Sequence, residues 1–334
     1  MKLFLSSYGA LCLGLLILTF LLAIWAVSIG PANISVGQLL AGLWHGDPQI
    51  LRVFFEIRLP RVALGLLAGA SLGCAGAAMQ GLLRNPLAEP GLLGVSGGAA
   101  LGAVIALYSG FVDSFWLALP LAGFIGTALV TGLVFWLASG THNTTVLILA
   151  GVAISSLCAS AISLILNLSS NPFAAMEIVF WTLGSVADRS NNDLLLATPP
   201  ILLGLILLCA CGRGLRALSL GEDTAHSLGI HVIRLKTQIL IGSALCVGAA
   251  VSVAGAIGFI GLVAPHLVRP LVRFDPARLL PVSALAGAAL LTAADIGVRL
   301  LQNTGPEIKL GVLTALVGAP FFIVLIRQAG RQAT

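Results

Sequence analysis

Apolar windows of near-membrane length follow one another along almost the whole chain, and this constrains the fold more than any other feature. They fall near 9–29, 61–82, 92–108, 115–138, 146–167, 194–211, 235–253, 256–272, 280–300 and 310–328. A helix needs about 20 such residues to cross roughly 30 Å of hydrocarbon. Only 9% of residues are charged, against roughly 25% in a soluble domain, so there is too little polar surface to coat this chain in water. Backbone amides in lipid must be satisfied within their own segment, which favours helices. The expected class is an all-α, polytopic membrane protein of about ten transmembrane helices, a single domain over 1–334.

The 39 glycines lie inside apolar runs, where small residues let helices approach closely in lipid. Gly255 separates two of the windows and predicts a break between them. The stretch Phe173–Gly184 is apolar but short and carries Glu177, which predicts an interfacial or re-entrant half-helix within a periplasmic segment of about 168–193. The first window follows Lys2 and resembles a signal sequence. Its core of about 20 residues exceeds the 7–15 of a signal peptide, so a retained helix is expected.

With an even number of spans, both termini lie on one side. The larger share of the 17 lysines and arginines then falls on the side of the N-terminus, which predicts cytoplasmic termini by the positive-inside rule. The net charge of +5 needs no nucleic-acid partner. The six cysteines sit in apolar stretches without CxxC spacing and read as small buried residues. The five histidines are scattered, and no carboxylate pair, nucleophile–base set or metal cluster stands out. None of the three lysines lies in a GxxxxGK[ST] phosphate loop, so no cofactor is expected in this chain. If the chain serves an ATP-driven process, ATP and Mg would have to be bound by a separate ATPase subunit.

Arg58-Leu59-Pro60-Arg61 opens the second window and Asn85-Pro86-Leu87-Ala88-Glu89-Pro90-Gly91 closes it. Late in the chain come Gly258-Phe259-Ile260-Gly261-Leu262-Val263-Ala264-Pro265-His266, Leu280-Pro281-Val282-Ser283 and Ala294-Asp295. In this order, over about 55–326, these motifs resemble the FecCD family of permeases, the membrane subunits of type II ABC importers for iron–siderophore complexes, haem and vitamin B12. The resemblance implies a type II importer permease fold in a bacterial inner membrane. The implied partners are a second copy of the chain, two ABC ATPase subunits and a periplasmic substrate-binding protein.

Several site residues follow from it. The inner loop of about 212–236 would hold a coupling helix for the ATPase, with Glu222, Asp223, His226, Ser227, Leu228 and Gly229. Ser219 is expected to cap that helix, the two acids to suit its positive end, and Gly229 to stop it. Arg58, Arg61 and Arg299 match arginines that, in the family's cobalamin member, pair with glutamates of the binding protein. Helix-end arginines snorkelling to the interface would look the same. Asn85, Leu87, Thr144 and Thr145 match a cytoplasmic gate, although a plain helix connection would also use such residues.

Asp295 lies inside an apolar window, where a charge costs about 2.5–3.5 kcal/mol. A paired structural role is expected; the alternative is an ion-coupled secondary transporter using Asp295 as its coupling site. In Glu307-Ile308-Lys309-Leu310-Gly311, many family members carry proline where Lys309 stands. Lysine there resembles the haem branch, which makes Lys309 a substrate-entrance candidate and haem the expected substrate, ahead of a siderophore complex or cobalamin.

Overall fold

The computed structural model describes residues 2–30, 34–115, 117–138, 144–301 and 307–332. Its first third comprises α1 (Lys2–Ser28), α2 (Val36–His45), α3 (Pro48–Arg52), a π-helical turn (Val53–Arg58) and α4 (Leu59–Leu83). Next come α5 (Val95–Tyr108), α6 (Phe111–Ser114), α7 (Ala118–Ala138), α8 (Thr144–Leu168) and α9 (Pro172–Thr182). The remainder holds α10 (Asn191–Ala210), α11 (Gly212–Leu218), α12 (Glu222–Ser227), α13 (Val232–Ala254), α14 (Ile260–Val268), α15 (Pro276–Leu301) and α16 (Leu310–Gln332).

Seven helices among the described residues are long and apolar enough to cross a membrane, so the chain is a multi-pass membrane protein. Two of the ten expected spans come out differently, and a third is described in part. The window 92–108 corresponds to α5, whose apolar stretch Val95–Tyr108 is shorter than a full span, and the window 310–328 lies within the 23 residues of α16, whose side chains are described only to Ile323. The window 256–272 yields only the nine residues of α14, about 14 Å of helix. Its first residues cannot be helical, because Gly255 (φ 71°) and Phe259 (φ 67°) are left-handed. Ile260, Leu262 and Ala264 of α14 are buried in protein, so the first turns of that run are apolar without facing lipid.

α4 is the core of the bundle and packs antiparallel to α15. A methyl group on Gly69, Gly73 or Gly76 would overlap the carbonyl of Gly287, Ser283 or Gly261 respectively. Without a hydrophobic drive between helices in lipid, this backbone proximity supplies the van der Waals contact that holds them. Gly76→Ala should therefore cost about 1–3 kcal/mol by overpacking, read as a lower unfolding midpoint in detergent. Gly14→Ala on α1, where nothing lies within 4 Å, should leave the midpoint unchanged. An equal response at the two positions would reject the close-packing account.

The half-helix expected over Phe173–Gly184 is α9, capped by Asn171, whose side chain accepts from Phe173 N at 3.0 Å. The bundle has two distinct ends. Tyr8, under the Arg278 guanidinium at 5.0 Å, lies at the end that carries α11 and α12. The last turn of α1 lies at the other, with the start of α4 and the close of α15.

Candidate functional site: an arginine cluster, a broken helix and a projecting loop

α1 ends with carbonyls that have no helical partner, and two arginines supply them. Arg58 Nη1 donates to Val27 O at 2.9 Å and Ser28 O at 3.3 Å. Arg299 Nη1 donates to Ala26 O at 2.6 Å and Ile29 O at 2.9 Å. Asp295, one turn before Arg299, accepts from it through its second oxygen. The first oxygen of Asp295 accepts from Arg61 Nε at 3.0 Å and Nη2 at 2.7 Å. Arg61 Nη2 also donates to Glu307. Arg61, Arg299, Asp295 and Glu307 thus form one connected ion-pair network, which Arg58 joins through the last carbonyls of α1.

That geometry turns the three expected docking cations into the bundle. Arg58 and Arg299 are 3% and 8% exposed, and the Arg61 side chain is 11% exposed. The physical reason is local: burying a guanidinium is costly unless its donors are met, and the α1 carbonyls and Asp295 meet both terminal nitrogens of Arg299, although its buried Nε finds no acceptor among the described residues. Asp295 takes the paired role expected of it. Both of its oxygens accept from arginine, which favours the paired role over the secondary-transporter alternative. Glu307 was missed as a partner, although it stands two residues before Lys309 in a motif already singled out.

Arg58 is delivered by the π-helical turn, whose widened register is closed by Leu59 N–H donating to Phe54 O. The Asn191 side-chain amide takes the Phe55 carbonyl at 3.0 Å. Such single turns concentrate at functional positions, and nothing in residue type announces this one.

A second feature is the backbone break after α13. Ser185 N donates to Ala254 O at 2.7 Å, and Gly311 N to Gly184 O at 3.3 Å, so three chain segments meet there. Beside them opens a cavity of about 580 Å³ lined by Thr182, Leu183, Ala256, Gly311, Leu316 and Pro320 among others. Its wall is mostly apolar. Lys309, two residues before Gly311, places its ammonium 5.6 Å from the Phe180 ring centre, within cation–π range.

At the opposite end, α12 projects from the bundle. Ala225 is its buried anchor, whereas Asp223, His226, Ser227, Leu228 and Gly229 are exposed, with Leu228 61% exposed. Glu222 pairs with Lys236 at 2.9 Å. Gly229 (φ 80°) does end the helix: its N–H donates to His226 O, and that of Ile230 to Ala225 O, the paired bonds of a Schellman stop. Ser219 does not cap α12. It closes α11 instead, its hydroxyl donating to Arg216 O at 2.7 Å, and Gly221 precedes α12 without a side-chain cap. Arg216 forks onto Asp275 at 2.9 and 2.7 Å, tying this loop to the start of α15.

Of the gate residues, Asn85 folds its side chain back to accept from Leu87 N at 2.9 Å, and Leu87 is exposed. Burial pushes the nearby Glu89 carboxyl above its usual range. Thr144 and Thr145 open α8; the Thr144 side chain and the preceding 139–143 lie outside the described residues.

Comparison with known proteins gives a consistent result. The model of the FecCD transport family matches residues 15–328. The hemin transport system permease HmuU of Yersinia pestis is 39% identical over 95% of this chain and 95% of its own length. The cobalamin import system permease BtuC of Halobacterium salinarum is 41% identical over 86% of this chain and 77% of its own. A solved inward-facing conformation of a metal-chelate type ABC transporter superposes with a TM-score of 0.87 at 33% identity, covering 96% of this chain and 99% of that one.

Proposed function

Because the chain belongs to the FecCD transport family, and is thereby a permease subunit of a type II ABC importer, we propose that its substrate is haem. The observation that carries this reading is the apolar cavity of about 580 Å³ beside the α13 break, with Lys309 two residues before Gly311 of its lining and its ammonium over the Phe180 ring. A porphyrin has an apolar body and anionic propionates, and matches such a wall with one cation at its margin. The likeness to a permease named for hemin supports haem as a substrate, and the comparable likeness to a cobalamin permease leaves the cavity and Lys309 to carry the choice between them.

In the proposed assembly, two copies of the chain flank a central pathway in a bacterial inner membrane, with termini in the cytoplasm. Two ATPase subunits bind ATP and Mg and dock on α12. A periplasmic binding protein docks at the opposite end, where arginines exceed carboxylates by one charge within the network. Asn85, Leu87, Thr144 and Thr145 narrow the cytoplasmic exit.

Reconstituted complex given haem-loaded binding protein and ATP should accumulate haem. Lys309→Glu should slow uptake clearly more than Lys309→Arg, since only the former reverses the charge. Equal rates for the two variants would remove Lys309 from the site, and uptake of a hydroxamate siderophore in place of haem would overturn the substrate assignment.

A further inference from the structure

α2 is a separate ten-residue helix with a defined start and stop. Ser35 and Gln38 form a reciprocal capping box, and Gly46 ends it in the left-handed conformation. Its faces divide cleanly at 100° per residue. Leu39 and Gly42 are buried, and Gly42 packs so closely on Ile50 of α3 that no methyl group would fit. Gln38 and His45 share a polar edge. The remaining arc carries Val36, Leu40 and Trp44, which are 51%, 62% and 89% exposed. No lysine, arginine, aspartate or glutamate occurs between Ser35 and Gly46.

One occupant fits that stripe. α1, which precedes it, is buried over only 6% of its membrane-length window, so lipid surrounds most of that span. Its exposed residues Phe20, Leu21, Ile24 and Trp25 carry the lipid-facing surface up to its last turn. The seven residues from Ile29 to Ser35 keep the start of α2 within about 25 Å of that turn. A short helix leaving a span, apolar on one face and with tryptophan in the stripe, has the character of helices that lie in the headgroup region. A charge-steered protein partner would find no charge on α2 to engage.

We infer that α2 is an interfacial helix, with Val36, Leu40 and Trp44 seated in the lipid headgroup region at the arginine-cluster end of the bundle. Through Ile50 this seat holds α3, and α3 continues through the π-helical turn into α4 as one 36-residue helical run from Pro48 to Leu83. The lipid contact therefore sets the depth at which Arg58 and Arg61 enter the network.

The test uses the full complex in phosphatidylcholine nanodiscs. The emission of Trp44 is isolated by subtracting that of Trp44→Phe from wild type. It should be quenched by phospholipid brominated near the headgroup and shielded from aqueous acrylamide, and added anionic lipid should change neither result. A Trp44→Phe variant carrying Leu40→Trp should report the same depth, whereas one carrying Gln38→Trp should be open to acrylamide. Free acrylamide access at position 44 without bromolipid quenching would overturn the inference. So would shielding that appears only when the binding protein is added.

Discussion

Asp295→Ala is expected to destabilise the protein by about 3–5 kcal/mol, because removing one member of a buried ion pair strands the others. Arg61 would keep Glu307, but Arg299 would retain only the α1 carbonyls for a charge that Asp295 now neutralises. The readout is the unfolding midpoint of the detergent-solubilised protein, with the yield of monodisperse material as a second measure. Asp295→Asn keeps an acceptor oxygen and should fall between alanine and wild type. The double variant Arg61→Leu, Asp295→Leu should recover part of the loss, since apolar replacement of a buried pair is often close to neutral. An Asp295→Ala protein as stable as wild type would refute the structural role. Loss of transport by Asp295→Asn with unchanged stability would point back to ion coupling.

That network also marks where sequence reading stops. An acid in an apolar window requires partners, and this much was legible from Asp295 alone. Its partner Arg61 lies 234 positions away, and nothing local to Asp295 distinguishes Arg61 from the other arginines at helix ends. Position along a span gives depth but not side-chain direction, so the inward turn of these arginines is not legible in the sequence. Ser219 failed for a related reason. A serine near a helix start suits an N-cap, but α11 runs to Leu218 and takes the hydroxyl for its own last carbonyls, leaving Gly221 to begin α12.

Elsewhere the local chemistry sufficed. Gly229 and Gly255 occupy positive-φ positions, where residues with a Cβ are strained, and both were legible as stops. Most apolar windows became spans because hydropathy is a property of the segment itself. One exception is informative. The 256–272 window is as apolar as its neighbours, yet the first turns of α14 are surrounded by protein, and composition cannot tell a protein interior from lipid. The π-helical turn and the stripe on α2 depend on backbone register and on which face is left uncovered, neither of which residue type specifies.

Leu228→Asp should abolish most ATP-driven transport while leaving the membrane fold intact. Leu228 is 61% exposed in the isolated chain, beside a helix whose buried contact is Ala225, so its side chain contributes little to the stability of the bundle. Exposed substitutions of this kind usually change stability by less than about 0.5 kcal/mol. In the proposed complex the same side chain fills a pocket on the ATPase, where burying a carboxylate without a partner is unfavourable. A loss of about 2 kcal/mol, typical of an interface hot spot, corresponds to roughly 30-fold weaker attachment. Co-purification of the ATPase subunit and transport should then fall together, with the unfolding midpoint of the permease unchanged. Leu220→Asp is a useful companion, since Leu220 is also exposed, at 65%, but precedes the helix. A smaller effect there would localise docking to the α12 turn. Wild-type stoichiometry together with wild-type transport in Leu228→Asp would remove α12 from the coupling path, and the Arg216–Asp275 fork, which joins the neighbouring α11 to α15, would become the next connection to break.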